Sequence, residues 1–440
     1  MIKKLLLLTP LVAGLLLSSC SDEDFGSNTL KPVPLTTQIS FGDILKGKEL
    51  PSGVKVTLRN LESGSKYEGE TDTKGVLSLP SVLPGKYNVE ATFTMTAEDY
   101  LKYFGESSGS NENVIFNGIA ENVTINETSS AIDLELKAAS TLGGLVIKQV
   151  YYGGSHIKEG ALFRDQFVEI YNNSDKVLYA DGLMFAQLFG ENTAGKLSYN
   201  LPNGQLDWSK GVGNTKGDKA NTDFVYADYV FKIPGSGTQY PIQPGQSIVI
   251  AQTAINHKAN YIDETGKDVA IINPELTVDL SRADFEVNLT EFHGSQYRYD
   301  IQNPAVPDVD IVYWLANRDM LLDNLGRDAF IIFRATDAEV KSYSKVQSPK
   351  GGNTDYYLQI PNSAILDGLD TTGNLDNPVP KKLASSIDAG KTYLTEGAYT
   401  SKSVIRKTAK TINGRIVLKD SNNSTEDFVN MKANPKGFAN

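Results

Sequence analysis

The sequence predicts an all-β protein: an N-terminal leader and tether followed by two successive β-sandwich bodies, the second enlarged by long inserted loops. Three observations carry this. Short segments alternate apolar and polar residues at period two, the mark of strands with one covered face. Clusters of Gly, Pro, Asn and Asp separate these segments, and 38 Gly and 18 Pro in 440 residues suit a chain with many reversals. A length of this order allows about three domains, or two large all-β ones. Hydrophobic residues at 40% and charged residues at 22% are ordinary globular values, so core volume is not limiting. The net charge of −11 repels phosphate backbones, and nucleic acid is not an expected partner.

The leader comes first. Lys3 and Lys4 precede an apolar run from Leu5 to Leu17 that is too short to span a bilayer as a helix. Leu17-Ser18-Ser19-Cys20 resembles the bacterial lipobox, which implies acylation of Cys20 and its exposure as the mature N-terminus. At about 0.8 kcal/mol per buried CH₂, two or three acyl chains hold a protein on a membrane almost permanently. Cys20 is the only cysteine, so the processed chain has no thiol for disulfides, metal binding or nucleophilic catalysis. Ser21-Asp22-Glu23-Asp24, followed by Phe25, resembles the acidic export signal of Bacteroidetes lipoproteins, which implies the outer face of the outer membrane. The plain alternative is a solvated acidic tether. Residues 21–35, stiffened by Pro32 and Pro34, read as that tether.

The first body is expected over 36–138. Gln38–Phe41, Val54–Leu58, Val76–Leu79, Tyr87–Phe93, Val123–Ile125 and Ile132–Leu136 each alternate, as half-buried antiparallel strands do. Ala97–Phe104 reads as a short helix before a Gly/Ser/Asn loop. Thr71–Val89 resembles the carboxypeptidase-regulatory or prealbumin-like module: Asp72 and Gly75 form a turn, Leu77 and Leu79 a strand, Pro84-Gly85 the turn into Tyr87. That resemblance implies a spacer or adaptor.

The second body is expected over 142–440, organised around Asp165–Ala186. Val168 and Ile170 face one way and Phe167, Glu169 and Tyr171 the other, a strand covered on both sides. Asn172–Asp175 supplies a turn back through Val177 and Tyr179, and Asp181-Gly182 a second reversal before Leu183–Phe185. This stretch resembles the start of the lamin-tail domain, a small immunoglobulin-like sandwich. Leu145–Val150, Tyr229–Pro234, Pro244–Ala251, Ala329–Phe333, Ala364–Leu369, Ser403–Lys407 and Asp420–Phe428 together resemble Bacteroides lipoproteins with the DUF4876 domain, a family without assigned chemistry. The surplus over one sandwich falls in 187–222, 252–327 and 336–360, read as insertions too long to be passive connections. On a rigid β scaffold, function concentrates in such loops.

Catalytic signatures mostly fail. Gly105-Glu106-Ser107-Ser108-Gly109 fits G-x-S-x-G by letter but follows a helix and precedes a polar loop, the wrong setting for a nucleophile elbow. Gly390-Lys391-Thr392 lacks the upstream Gly of a phosphate loop. His156, His257 and His293 form no close ligand pair, and no metal or cofactor is expected. Asp420–Phe428 begins like a calcium loop, then places Thr425 at the Gly position and Met431 at the bidentate Glu, leaving a noncanonical site or an Asx-turn network. Aromatics are more suggestive: Tyr297, Tyr299, Tyr356, Tyr357 and Trp208 sit in the insertions as candidate ligand contacts, with Trp208 either a platform or a lid over the sandwich edge. Trp314 reads as core. Lys402, Arg406, Lys407, Lys410, Arg415 and Lys419 read as the solvated side of a closing hairpin, or a contact for an acidic partner or lipopolysaccharide phosphates. Asp370-Thr371-Thr372 matches a short O-glycosylation pattern.

The expected function is a lipid-anchored, surface-exposed outer-membrane protein without enzymatic activity. It would capture a small molecule or glycan beside a TonB-dependent transporter; adhesion is the first alternative. A hydrolase built on loop carboxylates is the second.

Overall fold

A computed structural model describes residues 31–439 except 43–44, 46–48, 106–113, 129–130, 139–143, 194–196, 317 and 375–377. Cys20, the Ser21–Asp24 signal and most of the G-x-S-x-G stretch lie outside the described residues. The protein is all-β, and its strands form two groups that pair only within themselves.

The first group comprises β1 (Val33–Ser40), β2 (Lys55–Asn60), β3 (Lys66–Glu70), β4 (Val76–Val82), β5 (Gly85–Met95), β6 (Val114–Ile125), β7 (Ala131–Glu135) and β8 (Lys137–Ala138). They form a sheet β4-β1-β7 and a sheet β3-β2-β5-β6-β8, whose inward residues Ile39, Val56, Leu58, Tyr87, Val89, Phe116 and Leu134 share one core. The expected tether ends early, because Val33 already pairs with Val82. Pro34, which has no N–H, falls at the register shift between Val33 and Leu35, where the ladder needs no donor. β3 is an addition to the sequence reading: Lys66-Tyr67-Glu68-Gly69-Glu70 is a polar edge strand. The helix Ala97–Phe104 forms as expected, since Thr96 Oγ1 accepts the Asp99 N–H and Gly105 takes a left-handed φ of 77°. It packs through Phe104, stacked 5.5 Å from Phe116.

The second group runs through β9 (Leu145–Tyr151), β10 (Phe167–Asn172), β11 (Leu178–Tyr179), β12 (Met184–Leu188), β13 (Phe224–Lys232), β14 (Pro241–Ile242), β15 (Ser247–Ala251), β16 (Tyr261–Ile262), β17 (Asp268–Val269) and β18 (Phe285–Glu286). It continues through β19 (Asp310–Trp314), β20 (Ala329–Phe333), β21 (Lys345–Gln347), β22 (Tyr356–Pro361), β23 (Ile365–Asp370), β24 (Lys402–Arg406), β25 (Thr408–Ile412), β26 (Arg415–Leu418) and β27 (Phe428–Lys432). One sheet has the order β18-β15-β10-β9-β24-β27; the other is β21-β22-β13-β12-β20-β23, with β19 also on β13. Ile147, Val168 and Ile170 from the first meet Phe185, Phe231, Phe330 and Ile332 from the second in a common core. Phe185 stacks 5.1 Å from Phe231 and 5.9 Å from Phe330.

β10 is buried along its whole length, as its doubly covered pattern predicts. The return through Val177 and Tyr179 is corrected: both are exposed, and β11 pairs with β14 rather than with β10, whose neighbours are β9 and β15. Two insertions are also corrected. β19 lies inside 252–327, and β21 and β22 inside 336–360, yet all three belong to the second sheet.

Register fixes where the loops go. The chain enters this body at Leu145, opposite Asn172, and β9 ends at Tyr151, opposite Phe167. We call the Leu145 end the near pole and the Tyr151 end the far pole. Segments 152–166, 252–284 and 395–401 and the chain after Lys432 all emerge at the far pole, because Phe167 pairs with Ala251 and Lys402 with Lys432. The near pole receives the turn 407–427, where Ser421 C=O accepts a 2.7 Å bond from Asn117 Nδ2 of the first group.

Candidate functional site

The far-pole loops have little regular structure, so their main-chain N–H groups need other acceptors. Buried carboxylates supply them. Glu286 accepts from Ala254 N–H at 2.8 Å and Asn303 N–H at 2.7 Å, and Asp300 from Leu289 N–H at 2.7 Å. Burial disfavours their charged forms and pushes each up to about 7. Asp263 goes the other way: hydrogen bonds from Thr265 Oγ1, the Lys267 N–H and Arg298 hold it well below the usual carboxylate range. These loops are therefore cross-tied rather than loose.

On this frame stands a cation–aromatic cluster. Arg164 is ion-paired with Asp319 and lies 4.1 Å over the Tyr299 ring, while Arg298, bonded through Nε to Asp263 at 2.8 Å, lies 4.5 Å over the same ring. Tyr297 meets Tyr299 edge-on at 5.9 Å. Arg318 lies 5.7 Å over Tyr297; it is exposed, bonds Ser295 Oγ at 2.5 Å and has no carboxylate partner among the described residues. The structure thus brings Tyr297 and Tyr299 together, and both rings are half-buried under guanidinium groups, Arg164 and Arg318 over Tyr297 and Arg164 and Arg298 over Tyr299. Arg318 is the member of the cluster turned toward solvent.

Beneath the cluster, polar atoms are left without partners. Asp165 is fully buried; its Oδ2 accepts from Tyr151 Oη at 3.3 Å, its Oδ1 has no hydrogen-bond partner among the described residues, and burial pushes it up to about 7. His257 shares Nε2 with the Thr253 carbonyl at 3.1 Å, leaves Nδ1 unpartnered, and is pushed down to about 4 by burial. Gln252 Oε1 is a third such atom. His156 instead accepts the Glu159 N–H at 3.2 Å in its own loop. Among the described residues no three His, Cys, Asp or Glu side chains are placed to hold a metal. Neither Arg164 nor Asp319 was singled out by sequence, since residues 155 positions apart leave no spacing signal.

Trp208 takes the second of its two readings, the lid, and the reading of Tyr357 as an exposed ligand contact is corrected. Trp208 is 5% exposed, stacks 3.7 Å from Tyr226 and packs against Tyr357 at 5.8 Å; Tyr357 stacks 4.0 Å from Phe189. The cavity beside Trp208 is about 20 Å³, room for one water and not for a sugar ring. Both rings form a lid core over the edge of the second sheet. Tyr356 is exposed, and its carbonyl accepts from Tyr313 Oη. Trp314 is core, stacked 4.5 Å from Tyr229.

At the near pole, Arg406 corrects the expectation of a solvated basic face. It is buried, donating to Asp367 at 2.7 Å, Asp420 at 3.0 Å, Asp427 at 3.4 Å and the Ile147 carbonyl at 3.0 Å. Asp420, which opened the calcium-like stretch, faces this guanidinium together with Asp427, and Asn423 caps the turn through Thr425 N–H at 3.1 Å. Asp370, Thr371 and Thr372 are all buried, so the glycosylation pattern is inaccessible in the folded chain.

A family model described as a protein of unknown function, DUF4876, matches residues 243–435. The matched region begins just before β15 and takes in the far-pole segments 252–284 and 395–401 and Arg406 with its three carboxylates, whereas β9, β10 and the far-pole segment 152–166 lie outside the match. A crystal structure of a DUF4876 family protein from Bacteroides thetaiotaomicron is 25% identical, covers 90% of this chain and 95% of that one, and superposes with a TM-score of 0.51. A candidate adhesin from Bacteroides ovatus, 11% identical over 79% of this chain and 88% of that one, and a candidate cell adhesion protein from Bacteroides eggerthii, 13% identical over 64% and 96%, superpose at only 0.18 and 0.16. Overlaps that low carry no structural argument. No curated protein matches the chain. Among the described residues, no helix is long and apolar enough to cross a membrane.

Proposed function

We propose that this chain is a lipid-anchored protein of the bacterial cell surface, and that its second body recognises a ligand through the far pole. Nutrient capture beside a TonB-dependent transporter is the most concrete form of that role. The observation that carries the reading is topological. The chain arrives at the near pole, and the cross-tied loops bearing Tyr297, Arg318 and the unpartnered interior groups leave from the opposite one. A body tethered through Leu145 presents the far pole outward. The leader supports the tethered half of the reading through Lys3, Lys4, the apolar run and Cys20, and the acidic Ser21–Asp24 supports the outer face. The role is one of binding, because the far pole offers cations, aromatic edges and main-chain groups in a rigid frame rather than a paired nucleophile and base.

Two experiments test it. Cys20→Ser should release the protein from the membrane fraction, and protease added to intact cells should degrade the wild-type chain. Retention of the variant or full protection would overturn the surface reading. Co-purification with a transporter from detergent-solubilised outer membranes would support nutrient capture. Loss of cell attachment on deletion, with normal growth and no transporter recovered, would favour adhesion.

A further inference from the structure

β27 is the outermost strand of its sheet, and its open edge lies at the far pole. Its main-chain directions follow from two flanking bonds: Ala433 N–H donates to Ser401 C=O at 2.8 Å and Lys407 N–H to Asp427 C=O at 2.7 Å. In an antiparallel ladder hydrogen-bonded and non-hydrogen-bonded pairs alternate, so Met431 and Val429 turn their main-chain groups toward β24. Phe428, Asn430 and Lys432 turn theirs outward. Segment 393–395 sits beside Asn430, whose side chain donates to Tyr393 C=O and accepts from Thr395 N–H. Past that point the edge is uncovered, and the outward N–H and C=O of Lys432 have no main-chain partner among the described residues.

The uncovered edge borders a groove of about 500 Å³, within the usual range of binding clefts. Met431–Pro435 line it on one side and Lys258 and Thr277–Asp279 on the other. Val278 and Ala433 give it an apolar floor continuous with the core beneath. Ser401 ties the two walls together: it accepts from Ala433 N–H, and its Oγ donates to Leu276 C=O at 2.6 Å. Lys258 and Lys432 stand on opposite walls, and the exposed carboxylate of Glu275 lies 3.6 Å from both. One carboxylate therefore reaches both lysines at once. The one acid lining the groove, Asp279, already accepts from Ser281 N–H and Oγ–H at 2.9 and 2.6 Å.

We propose that this groove takes an extended acidic peptide from a partner protein, added as a strand on the Lys432 edge with one carboxylate between Lys258 and Lys432. An open edge supplies main-chain recognition, and alternate side chains supply selectivity. Glu275 is the internal stand-in for that carboxylate and competes with it. The proposal rests on the reading of the far pole as the recognition surface.

The test uses the full mature chain and a fluorescent ten-residue peptide of alternating valine and glutamate, with a valine–lysine peptide and trigalacturonate as comparison probes. The glutamate peptide should bind and the lysine peptide should not. Glu275→Gln should strengthen binding, and Lys258→Gln should weaken it. Lys432→Gln should weaken it less than Lys432→Pro, which also removes the outward N–H while leaving the β24 ladder intact. The Pro variant should lose about tenfold, provided that it melts like wild type. Peptide binding indifferent to Lys432→Pro and Lys258→Gln would overturn the proposal, as would trigalacturonate binding where the peptide does not. If cell-surface ligand capture then fails in Tyr297→Ala or Arg318→Glu while the groove variants capture normally, the far-pole reading survives and the groove proposal falls. If neither set matters, both fall.

Discussion

The two poles of the second body treat buried polar groups in opposite ways. At the near pole Arg406 is enclosed by Asp367, Asp420 and Asp427, and every arm of its guanidinium is used. Among the described residues, at the far pole Asp165 Oδ1, Gln252 Oε1 and His257 Nδ1 are buried without hydrogen-bond partners, Arg318 stands free of carboxylates, and the edge at Lys432 is open. Native interiors satisfy most such groups, so a concentration of exceptions calls for a reason. The near pole is closed because it bears the junction with the rest of the chain. On the proposed reading, the far pole keeps unspent hydrogen-bonding capacity for a ligand to use.

The largest expected effect breaks the comparison from the near side. Arg406→Met removes the cation and leaves three carboxylates crowded in a buried site, so urea unfolding should show a loss of about 3–5 kcal/mol. Ligand capture by the fraction still folded should be unchanged. Trp208→Ala sharpens the contrast on the lid core. It should cost about 3 kcal/mol of stability, as large aromatic truncations do, without altering ligand affinity. A selective loss of affinity instead would return Trp208 to the binding surface.

A smaller effect probes the far-pole interior through pH. Asp165 is pushed up to about 7, from an ordinary value near 4, by its burial beside Tyr151. The folded state therefore binds the extra proton, and this group's contribution is fully present below about pH 4 and is lost as pH rises through 7. His257 has the opposite sign: its folded value of about 4 makes stability fall as pH drops below its unfolded value near 6.5. Asp165→Asn should remove a downward slope of up to about 1.4 kcal/mol per pH unit from unfolding free energies measured between pH 4.5 and 7. An unchanged slope would mean that Asp165 does not titrate in that window. The smallest effect is at the surface. Lys402→Gln breaks the ion pair with Glu396 and should cost less than about 1 kcal/mol, against the several expected at Arg406.

Much of the scaffold was legible because its signals are local. Period-two alternation located β10 and, in the first body, β1, β2, β4 and β5, the resemblance to DUF4876 lipoproteins located β15 and β20, and Thr96, Ala97–Phe104 and Gly105 spell a capped helix. What was missed depends on distant partners. β21 and β22 looked like inserted loop because their membership of the sheet is settled by pairing with each other and with β13, more than a hundred residues earlier. Arg406 looked solvated among its neighbouring lysines, and only Asp367, 39 positions away, together with Ile147 buries it. Tyr297 and Tyr299 were visible as paired aromatics, but the guanidinium that lies over both rings comes from Arg164 in another loop. Strand propensity is written nearby; the chemistry of a loop pole is written across the fold.

The central claim is that the far pole does the recognising. The most direct measurement is photo-crosslinking on living cells, with benzoylphenylalanine replacing Tyr297 or Met431 at the far pole and Lys410 on the exposed near-pole strand β25. Crosslinks to other molecules from Tyr297 or Met431, and none from Lys410, are the predicted result. Crosslinks confined to Lys410 would contradict it.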